Sequence, residues 1–141
     1  MTQALCEAGA TVYIASRNLE KLQAEAERNG ATALQLDLDS DDSIAGAVAE
    51  IMKRSGRIDI LVNNAVTRCA CGNWADRMDY FDRSLHTNAS AMFVLTKRVG
   101  EVMKTQRSGS IINIGSYMGL LGPNPVNYTG TDMFDFEKTS P

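Results

Sequence analysis

The side chains of this 141-residue chain that could do chemistry recur at the ends of short apolar runs. Ser16-Arg17 closes the run from Thr11, Asp37 the run from Ala31, Asn63-Asn64 the run from Ile58, and Ser116 follows the run from Ser110 to Gly115. A single polar strand end is commonplace. Four of them in parallel strands would gather a hydroxyl, a guanidinium, a carboxylate and carboxamides at one edge. Open parallel sheets bind their ligands there, beyond the carboxyl ends of the strands. The other reactive groups lack partners. Cys69 and Cys71 form a C-A-C pair with no second pair and no nearby histidine, so no metal site is expected. His86, the sole histidine, falls in a helical stretch and reads as a packed or surface residue. Asp76, Asp79 and Asp82 follow helical spacing that suits a solvated face, and Trp74 and Met78 read as cover for an apolar edge.

The elements that must position these groups follow from periodicity. Residues 2–8 predict a helix that stops at Gly9, before a β-branched and aromatic strand over 11–16. Asn18 caps a helix with Leu19, Leu22 and Ala26 on one face, ending at Asn29-Gly30. After a strand over 31–38, Asp39, Ser40 and Asp41 open a helix that turns Ile44, Val48 and Ile51 inward and carries Lys53 and Arg54 before Gly56. Residues 58–64 form the third strand and 65–78 a loop. One long helix or two covers 79–106, with an apolar stripe of Met92, Leu95, Val99 and Val102, and a fourth strand spans 110–115. The tail from Ser116 to Pro141, with all three prolines, reads as loop. Strands alternating with helices mean right-handed crossovers and an α/β, doubly wound parallel sheet.

Composition narrows the function. With 14 basic against 17 acidic side chains, a net charge of −3 and a pI near 5.1, the chain offers no basic surface for a nucleic acid. No apolar run approaches the roughly 18 residues of a membrane span. The opening MTQALCEAG lacks a basic start and an apolar stretch, which makes the cytoplasm the expected compartment. Three cysteines do not build a disulfide framework.

Taken in order, ASRN at 15–18, LDL at 36–38, LVNNA at 61–65, NASAMF at 88–93 and GSIINIGS at 109–116 resemble the short-chain dehydrogenase/reductase family. The resemblance runs from residue 1 to about 122 and implies a Rossmann-like sheet, residues 1–141 being a partial NAD(P)-binding domain with 116–141 as active-site loop and tail. It implies hydride transfer between a nicotinamide and a small-molecule carbonyl or secondary alcohol, and a homo-oligomer in the full-length form. Where NAD-using members carry an acidic residue that binds the ribose, this sequence has Ser16 and Arg17, which favours NADP over NAD. Asp37 and Leu38 match positions at the adenine edge, and Asn63, Asn64 and Ala65 match the segment passing the cofactor, with Val66 in place of the usual glycine. Ser116 matches the catalytic serine that polarises the substrate oxygen, and Asn88 the asparagine that supports a proton-relay water.

The family's tyrosine and the lysine four residues later have no counterpart pair. Tyr128 is followed at that spacing by Asp132, whose charge would raise a phenol pKa, and Lys138 is preceded by Phe134. The glycine-rich phosphate turn is also absent, so Met1 reads as an internal methionine of a longer chain. The expected strand order leaves a gap of roughly 10 Å between the strands at 11–16 and 58–64. The resemblance therefore predicts an inactive fragment that is marginally stable, closes the gap by non-native pairing, or aggregates through its exposed edges. Its rivals are a non-catalytic dinucleotide sensor and a truncated product without function.

Overall fold

A computed structural model describes residues 1–67, 78–121 and 124–130. Six α-helices and four strands alternate: α1 (Thr2–Glu7), β1 (Tyr13–Ser16), α2 (Leu19–Asn29), β2 (Thr32–Gln35), α3 (Asp41–Ser55), β3 (Ile60–Asn63), α4 (Met78–Leu85), α5 (Met92–Gln106), β4 (Ser110–Asn113) and α6 (Met118–Leu121). The caps work as their residue types demand. The Asn18 side chain accepts the amide of Lys21 at 3.0 Å and Ser40 accepts that of Ser43 at 3.2 Å, satisfying amides that helix starts leave unpaired. Gly30 and Gly56 close α2 and α3 at φ of 69° and 71°, a left-handed conformation that glycine adopts without strain. Helix α5 ends in the same conformation on Arg107, at φ 57°, where a Cβ is present.

The α/β class and the parallel pairing are as the sequence implies. β1 pairs with β2 from Tyr13↔Thr32 to Ser16↔Gln35, and β3 with β4 from Ile60↔Ser110 to Asn63↔Asn113. Among the described residues no ladder joins β1 to β3, so two short sheets stand where one continuous sheet would run. That break lies where the strand order placed a gap, and the architecture is an incomplete Rossmann-like fold.

The core lies under the second sheet. Ile58, Val99 and Met103 are buried together, with Val48, Ile51, Leu61, Leu95 and Val102 packed around them, so α3 and α5 close on β3. Three of the four stripe positions serve this cluster. Gln106 locks the approach to β3: its Oε1 accepts Ile58 N–H at 2.9 Å and its Nε2 donates to Ile58 C=O at 2.8 Å. Parallel strands usually bury both faces. β4 does not, and Ile111, Ile112 and Ile114 remain 37%, 43% and 51% exposed.

Two expectations need correction. The stretch 79–106 is neither one helix nor two simple ones: α4 and α5 are joined by a π-helical segment, His86–Ala91, without a break in the backbone path. The tail beyond Ser116 is not all loop, since α6 and a 3₁₀ turn at Pro125–Tyr128, capped by Asn124 accepting Val126 N–H at 3.1 Å, lie within it. Short apolar MGLL and a proline at the first helical position give only local signals that periodicity over longer windows misses.

Candidate functional site

The carboxyl ends of β1 and β2 and the segment after β3 enclose a cleft of about 260 Å³. Ser16 and Arg17 line it from β1, Leu36 to Asp39 from β2, Ala65 to Thr67 from the far side, and Thr87 from the π segment. The first and third strand ends thus meet across the break between the two sheets. A larger groove between α3 and α5, about 360 Å³, is walled by Ala45, Val48, Ala49, Arg98 and Glu101 and gathers no convergent set of reactive groups.

Local bonds fix the polar walls. Ser16 Oγ accepts the amide of Asn18 at 3.3 Å, turning the chain from β1 into α2. The amide of Asp37 donates to Ser43 Oγ at 2.9 Å, and Asp37 Oδ1 accepts the amide of Asp39 at 3.1 Å, a tight turn of the kind aspartate makes with its own backbone. The Asp39 carboxylate then reaches outward: Arg17 Nη1 lies 3.9 Å from Oδ2, Thr87 donates to Oδ1 at 3.0 Å, and His86 Nε2 is 3.9 Å from that oxygen.

The second sheet contributes through carboxamides. Asn63 is 8% exposed, and its Nδ2 donates to Thr96 Oγ1 at 2.9 Å and to Asn113 Oδ1 at 2.8 Å, tying β3 to α5 and β4. Asn88 faces the loop after β3: its Oδ1 accepts Thr67 N–H at 2.7 Å while its Nδ2 donates to Thr67 C=O at 2.8 Å. Both ends of the amide are used by one backbone unit, and the residue sits in the π segment, a distortion common at functional sites.

The structure therefore brings Ser16, Arg17, Asp37, Leu38 and Ala65 together. Asn64 is exposed beside Ala65, and Asn63 turns into the interior. Ser116 is three residues beyond Asn113, past the carboxyl end of β4, and does not line the cleft. Cys69, Cys71, Trp74, Asp76, Asp132, Phe134 and Lys138 lie outside the described residues. Asp39, Thr67 and Thr87 are site residues that sequence reasoning missed. The one signal for Asp39 is its position two residues after Asp37, the spacing of an aspartate-centred turn.

The comparison with known families decides what this arrangement belongs to. Residues 1–131 match the short chain dehydrogenase family. The chain is a member of that family. The 3-oxoacyl-[acyl-carrier-protein] reductase FabG of Thermotoga maritima is 34% identical over 137 residues, covering 92% of this chain and 55% of that protein. The cyclopentanol dehydrogenase of Comamonas testosteroni is 35% identical over 123 residues, covering 84% of this chain and 49% of that one. A solved Burkholderia xenovorans structure assigned to the short-chain dehydrogenases/reductases superposes with a TM-score of 0.74 at 31% identity, over 84% of this chain and 49% of that one. The chain spans about half the length of the curated relatives it matches. The family is one of oxidoreductases using NAD or NADP. No helix of the described residues is long and apolar enough to cross a membrane.

Proposed function

We propose that this chain forms the adenosine-binding part of an NADP-preferring oxidoreductase, which moves a hydride between the nicotinamide and a carbonyl or secondary alcohol of a small molecule. The carrying observation is the convergence of Ser16, Arg17, Asp37 and Ala65 on one cleft at the strand ends. A hydroxyl beside a guanidinium suits a 2′-phosphate, which it can hold by charge-assisted hydrogen bonds. Leu38 and Ala65 would offer adenine apolar contact, and Asp37 a carboxylate acceptor for its amino group.

When bound, the dinucleotide supplies or accepts the hydride; the protein's part is to bind and orient. Ser116, past the carboxyl end of β4, is the group we assign to the substrate oxygen. Asn88 holds Thr67 through both ends of its carboxamide and is the residue we assign to supporting proton supply. Tyr13, Tyr80, Tyr117 and Tyr128 are followed four residues later by Arg17, Ser84, Leu121 and Asp132, so none has the lysine that would lower its phenol pKa. We therefore expect these 141 residues to bind the nucleotide without turning it over. The setting we propose for the whole enzyme is a cytoplasmic homo-oligomer.

Calorimetric titration of the chain with NADP and with NAD tests the reading. NADP should bind more tightly, and Arg17→Ala should collapse the preference by about tenfold, the loss of one charge-assisted phosphate contact. Equal affinity for the two, or none for either, would overturn it.

A further inference from the structure

We infer that Asp39 is a specificity-determining residue for the 2′ position of the nucleotide, acting by competing for Arg17; this rests on the nucleotide-binding reading of the cleft. The two partners are unequally held. Asp39 has its amide bound to Asp37 Oδ1 at 3.1 Å and its carboxylate Oδ1 bound by Thr87 at 3.0 Å, with His86 Nε2 at 3.9 Å, and its side chain is 33% exposed. The Arg17 side chain is 60% exposed, and its only described ion pair is the 3.9 Å approach to Asp39 Oδ2. The Asp39 carboxylate is held by Thr87, whereas the exposed guanidinium has only this long approach among the described ion pairs.

A 2′-phosphate arriving at Ser16 and Arg17 carries about −1.5 to −2 charges at neutral pH. It meets a guanidinium already shared with a fixed carboxylate and then stays beside that carboxylate. A nucleotide bearing a 2′-hydroxyl meets no such repulsion. Asp39 thus subtracts from the preference that Arg17 confers, and the balance of the two sets the choice of cofactor. The geometry spans the break between the sheets, since Thr87 and Asp39 are 48 residues apart.

Adenosine 2′,5′-bisphosphate and adenosine 5′-monophosphate isolate the effect, because they differ only in the 2′-phosphate. The readout is the ratio of their affinities for the 141-residue chain, for Asp39→Asn, and for the same change in an Arg17→Ala background. Removing the charge should raise the ratio at least about fivefold, the equivalent of one screened unit-charge contact near 4 Å. The gain should vanish in the Arg17→Ala background. Asp39→Ser serves as a second variant, and an amide NMR spectrum matching that of the unaltered chain shows that each variant keeps the fold. An unchanged or lower ratio, with both probes binding the unaltered chain, overturns the inference and leaves the nucleotide cleft standing. Binding of neither probe to the unaltered chain overturns both.

Discussion

The carboxamide of Asn88 and the backbone of Thr67 form a closed pair, donor to acceptor in both directions, at 2.7 and 2.8 Å. The pair joins the π segment to the loop that follows β3, and both groups are partly buried. Asn88→Ala would leave an amide and a carbonyl unpaired there, at about 1–3 kcal/mol. Urea denaturation should report that loss, and hydrogen exchange at Thr67 should accelerate with it. An unaltered exchange rate at Thr67 would mean that the pair does not hold the loop.

Gly109 lies against the Met103 side chain so closely that an added Cβ would stand 2.7 Å from Met103 Cβ and closer still to Cγ and Sδ. No rotamer of Met103 moves its own Cβ away. Gly109→Ala should destabilise by about 1–3 kcal/mol through overpacking. Combined with Met103→Ala the two losses should fall short of additive, which a double-mutant cycle measures.

Arg107 closes α5 with φ at 57°, the only left-handed residue other than glycine among those described. Arg107→Gly removes the clash of Cβ with the following carbonyl, worth roughly 1–2 kcal/mol before the entropy glycine adds to the unfolded chain. A net gain of up to about 1 kcal/mol in denaturant unfolding is expected.

Glu50 sits one turn before Arg54, whose Nε donates to it at 2.6 Å, and this bond holds its carboxyl below the usual 4.5. A depressed folded-state value means the contribution is present above the unfolded value and is lost as pH falls through the folded one. Glu50 is partly exposed at the helix surface, so the effect is small and salt-screened. Glu50→Gln should flatten the stability profile below pH 4.5 and leave it parallel to the original above. A profile of unaltered slope in acid would show that the pair adds nothing.

What could be read in advance was local. Asn18, Gly30, Ser40 and Gly56 declare their caps by residue type, and the helices fall within a residue or two of the spacing that implies them. The break between β1 and β3 was readable only through the family resemblance, whose strand order puts another strand between them. The π segment was not. Asn88, a poor helix former, points to a kink within the helical stretch, but nothing in HTNASA specifies a π turn, and the partner of Asn88 stands 21 residues away. The link from Asp39 to Thr87 across 48 residues was invisible for the same reason: it exists only once two sheets have been placed beside one another. Asn63 shows the opposite case, a motif residue whose side chain was bound inside the protein by Thr96 and Asn113.

Among the described residues the two short sheets share a cleft without sharing a ladder. A molecule touching both walls would therefore add to the joining that the packing of α3 on α5 and the Thr87–Asp39 bond already perform. Occupancy and mutual alignment of the halves become one equilibrium, and the free energy of alignment is subtracted from the affinity measured. By the same linkage a nucleotide bound as proposed would act as a clasp: at a hundred times its dissociation constant it would add about 2.7 kcal/mol to the resistance of the folded chain to unfolding.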